Sequence, residues 1–438
     1  MRKLLSRAIS IGIIASTSLV PAAYADVAAN ALPSFNNGTN VDVTTNGNNM
    51  NIQIQGGQYG VGTANWNSFN IGKDASVNVE FTAHNQTSLN YVDAAGGMSQ
   101  IYGNFTNSGC NGCGYADSGK VILINPNGIL FGNGANINLN SFTASTMNGV
   151  YDKNTRTLKL DGNGNTTKGI IVQDGAKIYG DKNVTFASDN INIYKGSQIT
   201  TNTTTVNVDA DTNGVKETTL GKVKLVTSDG VNFTYYNNGA VDEVSNVKSS
   251  ADKMTLWIAG DITSGHIDAR NASTNANSEL NTNKAVLKAY KAEKGNDGNI
   301  WLTANNRVIT EDTTFVTSNA STAAENRAGG NVLVSSANKS TLNKDTVNAV
   351  GNVTVKASSG DANVHASNIT AAKDVNISSS NIASIQNGSV VRAENVTVKG
   401  EKRGQITSSN VKANKDITLI STNDLAWTNK IGRASCRE

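Results

Sequence analysis

Proline, cysteine and histidine are almost missing from this chain, at three residues each in 438. So little proline excludes a proline-rich extended linker. His84, His266 and His365 are scattered, with no ligand spacing and no neighbouring serine or cysteine motif. That removes the usual zinc sites and nucleophilic triads. Charged residues are only 16% and aromatics 5%, so the chain is not a charge-extended disordered polymer. Nothing beyond the N-terminus is apolar enough to span a bilayer. There is no phosphate loop and no Gly-x-Ser-x-Gly elbow. No enzymatic activity and no cofactor are expected.

Asparagine is abundant instead, at about one residue in seven, and glycine contributes 41. With 38% hydrophobic residues, many of them β-branched, this composition suits short strands and many turns.

Both ends read as something other than fold. Arg2, Lys3 and Arg7 form a basic start, an apolar stretch runs from Ala8 to Val20, and Ala23-Tyr24-Ala25 fits a cleavage site. This is the pattern of a secretory signal peptide, residues 1–25. The last eight residues, 431–438, break with what precedes them and read like a translated sequencing adapter. They are expected to be an assembly scar, with the natural C-terminus lying further on. The formal charge of +3 comes from these ends. Removing Arg2, Lys3 and Arg7 brings it to zero, and removing Arg433, Arg437 and Glu438 brings it to −1. No basic face remains, so nucleic acid is not an expected partner.

The last third repeats. Val332-Leu333-Val334, Val353-Thr354-Val355, Val375-Asn376-Ile377, Val396-Thr397-Val398 and Ile417-Thr418-Leu419 begin 21 or 22 residues apart. Two weaker series, Val364, Ile385, Ile406 and Ile369, Val390, Val411, step by 21. A fixed period near twenty is a solenoid signature. The frame of leucine-rich repeats is absent, and helical period is lacking. Asn, Gly, Ser and Thr clusters between short β-branched runs favour a β-helix with three strands and three turns per coil. The mature chain would then hold roughly nineteen coils in a rod about 90 Å long. The polar segment 271–299, with a helix-capable run at 284–294, is expected to be a soft boundary or a loop extruded from one coil.

Several N-terminal blocks stand in a telling order. They are Asn65-Trp66-Asn67-Ser68-Phe69-Asn70-Ile71-Gly72, Leu89-Asn90-Tyr91-Val92, Ser99-Gln100-Ile101-Tyr102-Gly103 and the run from Gly119 to Gly132, closed by Phe142-Thr143-Ala144-Ser145-Thr146. Over about residues 36–150 they resemble the secretion domain of two-partner-secretion exoproteins, the filamentous haemagglutinin family. The resemblance implies Sec export, recognition by a dedicated outer-membrane β-barrel transporter, and folding outside the cell into a right-handed parallel β-helix that this domain nucleates.

Within the longest block, Val121 to Ile124 reads as a strand buried on both faces. Asn125-Pro126-Asn127-Gly128 is close to an ideal β-turn, and Ile129 resumes the strand. The resemblance makes Asn125, Pro126, Asn127, Gly128 and Ile129 the transporter-recognition or folding motif. A purely structural turn is the competing reading. Relatives often carry a second Asn-Pro turn before Ser-Gln-Ile. Here Gly96-Gly97-Met98 stands in its place, so a second turn of that type is not expected. Trp66, Phe69 and Ile71 read as core.

Two chemical candidates remain. Cys110 and Cys113 lie in a glycine-flanked loop. A local disulfide in an oxidising compartment is the favoured reading, with free thiols the other. Asp209, Asp211 and Asn213 match the first half of a calcium loop. Leu220 stands where the bidentate Glu belongs, so a turn is preferred and no metal is expected.

The expectation is therefore an all-β, right-handed parallel β-helix with an N-terminal secretion and capping domain. Residues 26–280 would form the secretion domain and 281–430 the shaft. The chain would be monomeric, secreted to the surface of a diderm bacterium, and adhesive toward a host or bacterial receptor or glycan. A contact-dependent inhibition toxin and a β-helical carbohydrate-active enzyme are the alternatives.

Overall fold

In each regular repeat the three apolar series become three strands. The computed structural model describes residues 27–109, 119–162, 168–203, 220–235, 241–291, 298–319 and 329–428, and every regular element among them is a strand. The strands that open at Val332, Val353, Val375, Val396 and Ile417 stack in parallel with those five residues in register. Val364, Ile385 and Ile406 stack in a second sheet. The architecture is the expected parallel β-solenoid. Inward residues alternate with outward ones, as in Val353–Ala357, so one side of each strand feeds a continuous core.

The third series differs from the expectation. Its buried column is Ile369, Val391, Val411, not Ile369, Val390, Val411. The cause lies at the preceding corner. Each coil turns there through a residue in the left-handed region: Lys344, Ala366 and Ser408 in three coils, but Asn387 and Gly388 together in the fourth. That extra residue moves the strand by one position, which exchanges its inner and outer faces. Because positions 390 and 391 are both valine, an apolar pattern conceals the shift.

Polar corners explain the asparagine. Before the triplet strands, the Asn331 N–H donates to Asn299 Oδ1 at 2.9 Å and the Asn352 N–H to Asn331 Oδ1 at 2.8 Å. The Asp374 N–H continues to Asn352 Oδ1 at 3.1 Å. Each side chain satisfies a turn amide of the next coil, an asparagine ladder. At another corner the Asp345 N–H donates to Ser367 Oγ and the Ser367 N–H to Ser389 Oγ.

Two expectations about organisation are corrected. The run read as helix-capable holds the strand Val286–Lys291, and Leu287 pairs with Ile262 on one side and Phe315 on the other. Leu287 and Ala289 alternate inward, so the neighbouring coils decide the conformation over local propensity. Segment 271–299 is therefore not an extruded loop throughout, since Glu279–Asn283 also stacks in the solenoid. The coil count is lower too. Among the described residues, the sheet that takes one strand per coil has 12 strands, from Ser99–Ile101 to Asp424–Thr428. Eleven spacings give a rise of about 53 Å. The nineteen-coil estimate assumed that every residue lies in a coil. Early coils are longer, and four strands (Asn148–Asp152, Thr157–Asp161, Gly230–Tyr235 and Val241–Ser245) leave the solenoid as a separate antiparallel sheet.

At the N-terminal end, Ser34–Thr39 pairs antiparallel with Val61–Ser68, and Val41–Asn46 with Asn49–Ile54. Leu32, Val41 and Val43 lie over the core, covering the end of the stack. Such a cap blunts the open edge. No helix among the described residues is long and apolar enough to cross a membrane.

Candidate functional site

The strand Lys120–Ile124 delivers the chain to the Asn-Pro-Asn-Gly turn. Val121 and Leu123 point into the solenoid core, while Ile122 and Ile124 enter a second cluster beneath the antiparallel sheet. Both faces are buried, which is why the strand carries no polar alternation. Leu158, Leu160 and Phe233 of the antiparallel sheet supply the cover.

Asn125 closes the turn on itself. The Gly128 N–H donates to Asn125 O at 3.1 Å, and the Asn127 N–H donates to Asn125 Oδ1 at 2.8 Å. The Asn125 amide then reaches the preceding coil, donating to Gly97 O at 2.9 Å and Ser99 Oγ at 2.8 Å. Its side chain is fully buried, so all three of these polar contacts are made away from water. Asn127 donates to Asp93 O at 2.9 Å and accepts from Lys168 Nζ at 3.1 Å. Gly128 takes a φ of +105°. That backbone angle is what requires glycine; a Cβ there would also lie 2.9 Å from Met98 Cε, a contact the flexible methionine end can relieve. Ile129 pairs with Ser99 below and Ile170 above. The motif thus joins three coils. Pro126 is its one partly exposed member.

A second turn of the same kind does exist, contrary to expectation. The Gly96 N–H donates to Asp93 O at 2.8 Å and the Ala95 N–H to Asp93 Oδ1 at 2.8 Å. Asp93 replaces the Asn-Pro start because a carboxylate oxygen caps the turn amide as well as an amide oxygen does. Residues Gly96 to Met98 then form the seat under Asn125 and Gly128.

Sequence spacing missed the partners Asp93, Ser99 and Lys168, which only the stacking of coils brings to the motif. It also missed Lys120. That side chain is buried, with Nζ 5.6 Å and 5.5 Å from the ring centroids of Tyr151 and Tyr235. Burial pushes its ammonium down to about 7, and the charge of Arg156 adds to the effect. Tyr235 shares a hydrogen bond with Thr143 Oγ1 at 2.8 Å. Its phenol is pushed up by burial. Trp66, Phe69 and Ile71 are core residues, and Trp66 donates to Asn90 Oδ1 at 3.1 Å.

The signal peptide, Cys110, Cys113, Asp209, Asp211, Asn213 and the terminal residues 431–438 lie outside the described residues. Among the described residues no group of three or more His, Cys, Asp or Glu side chains is arranged to hold a metal.

A family model described as the TPS secretion domain matches residues 29–308. A heme/hemopexin-binding protein of Haemophilus influenzae is 29% identical over 234 residues, covering 51% of this chain and 22% of that protein. The chain thus spans about a fifth of that relative's length. Two solved structures are similar over 92% of the chain. The HMW1 secretion domain of Haemophilus influenzae is 15% identical, with 97% of it covered and a TM-score of 0.47. The filamentous hemagglutinin secretion domain is 12% identical, with 100% covered and a TM-score of 0.40.

Proposed function

This chain belongs to the TPS secretion-domain family, and from that premise we propose that it is the secretion domain and first shaft coils of a surface adhesin. Proteins of the family are secreted exoproteins of diderm bacteria that pass the periplasm and leave through a partner outer-membrane transporter. The adhesive role is the proposal. The observation that carries it is the regularity of the coils beyond residue 308, whose strands stack in register from one coil to the next. A rigid stack of this kind suits a stalk that holds a binding region away from the cell.

The Asn125–Ile129 motif acts, in this reading, as a folding clamp. The transporter meets the chain unfolded, and the motif pins three coils once it emerges. Buried Asn125, Asn127, Gly128 and Ile129 support that role over recognition of a folded surface. Residues 26–280 serve secretion and 281–430 serve the shaft. A leader at 1–25 and a disulfide between Cys110 and Cys113 complete the proposal.

The test is co-expression with the partner barrel in a diderm host. Surface or medium accumulation only with the barrel, and cell attachment lost when the gene is deleted, is the expected result. Export without the barrel overturns the route. Growth arrest of touching neighbours in place of attachment overturns the adhesin role in favour of a toxin.

A further inference from the structure

One groove on the side of the solenoid is not used by the export motif. It encloses about 510 Å³ and runs along the solenoid axis, across successive coils. One wall is the segment 247–249, which returns from the antiparallel sheet. Asn305 fixes that wall, donating to Ser249 Oγ at 3.1 Å and to Ala272 O at 2.7 Å. The floor includes four register partners on consecutive strands: Arg270, Thr303, Ser335 and Lys356.

The floor has free capacity for hydrogen bonding. Neither the Thr303 nor the Ser335 hydroxyl is engaged by another described side chain or carbonyl. The Lys356 ammonium is exposed and in no ion pair among the described residues. Arg270 uses one edge of its guanidinium, with Nε 2.8 Å and Nη2 2.7 Å from the oxygens of Asp268. The carboxylate holds the planar group in place and leaves the Nη1 edge open. A guanidinium edge held in this way matches a second carboxylate in a bidentate pair.

Spacing selects the ligand class. Rungs stand about 4.8 Å apart, close to the advance of one sugar ring along a linear chain. A cation, two hydroxyls and a second cation thus repeat at sugar intervals over four coils. An extended peptide would place successive side chains of one face too far apart to match every rung. We propose that this groove binds a linear acidic oligosaccharide carrying ring carboxylates, with one carboxylate on the outer edge of Arg270 and another on Lys356. This goes beyond the adhesin reading and does not depend on it, since it concerns the groove of this chain alone.

The experiment is titration of the secreted, folded chain with a four-residue uronate oligomer, followed by NMR or calorimetry at low and at physiological salt. The uncharged oligomer of the same linkage serves as control. Saturable binding that weakens with salt, and is at least tenfold weaker for the uncharged oligomer, is expected. Lys356→Glu should weaken uronate binding by at least tenfold, and Ser335→Trp should abolish it by filling the groove. Both positions face outward, so circular dichroism and thermal unfolding should stay at wild-type values. Ser335→Ala, which removes one hydroxyl and adds no bulk, should weaken binding by a few-fold only. Absence of binding at millimolar oligomer, equal binding of the uncharged oligomer, or binding that survives both Lys356→Glu and Ser335→Trp would each overturn the proposal. Cell attachment is not the readout, so failure here leaves the adhesin role standing and failure there leaves the groove standing.

Discussion

Replacing Asn125 with alanine separates a folding clamp from a recognition signal. The variant removes two donated hydrogen bonds, to Gly97 O and Ser99 Oγ, and one accepted from the Asn127 N–H. All lie at a fully buried side chain. At about 1 kcal/mol per net hydrogen bond the loss is about 3 kcal/mol, and more if the orphaned partners stay dry. Pro126 is partly exposed, and Pro126→Ala gives up its pre-set φ, worth about 0.4–1 kcal/mol. A solenoid need not unfold in one step, so a local probe at the motif reports this loss more directly than global melting does. Hydrogen exchange of the Ile129 and Gly128 amides, which bond to Gly169 and Asn125, reads the local opening free energy. Asn125→Ala should speed their exchange on the order of a hundredfold, and Pro126→Ala by less than about tenfold. Secretion yield should follow the same order, with degraded Asn125→Ala chain in the periplasm. If Pro126→Ala stops export while its exchange stays near wild type, the turn is read by the transporter as a surface and the clamp argument fails. If Asn125→Ala exports normally, the motif has no part in secretion.

Asp345 is buried and its carboxyl is pushed up to about 7 by burial, against hydrogen bonds from Thr310, the Thr313 N–H and the Asn343 N–H. A raised folded pKa means stability that is full below the unfolded value near 3.8 and is lost as pH rises through about 7. Unfolding midpoints should fall between pH 5 and 8, and Asp345→Asn should flatten that slope; an unchanged slope would remove Asp345 as its source. Val391→Asp should destabilise the shaft by several kcal/mol, because it buries an unpaired charge, while Val390→Asp should stay within about 0.5 kcal/mol. Chemical denaturation of the two variants checks the register, and the reverse order would disprove it. Asn352→Ala should cost about 1–2 kcal/mol and expose the Asp374 amide to faster exchange, since it removes one rung of the corner ladder; protection equal to wild type would show that the ladder adds nothing.

The solenoid was legible in the sequence because each coil repeats the same burial problem. Val332, Val353, Val375, Val396 and Ile417 recur at one coil length, and their neighbours alternate outward on period two. The turn at Asn125–Gly128 was legible because proline and glycine restrict or permit backbone angles before any tertiary contact forms. Both signals are local. Stacking decided the rest. Gly388 shifts one strand between two valines that hydropathy cannot distinguish, and only register with Ile369 and Val411 selects Val391 for the core. The run at 286–291 has the composition of a helix, and the strands at Ile262 and Phe315 impose an extended ladder on it. Asp93, Ser99 and Lys168 lie dozens of residues from Asn125 or Asn127 and meet the motif because coils of unequal length return the chain to the same edge. The sequence alone determined the repeat and its turns, which depend on period and backbone preference. The clamp, the corner ladders and the groove depend on which coil lies above which, and that was decided only by hydrogen bonding between coils.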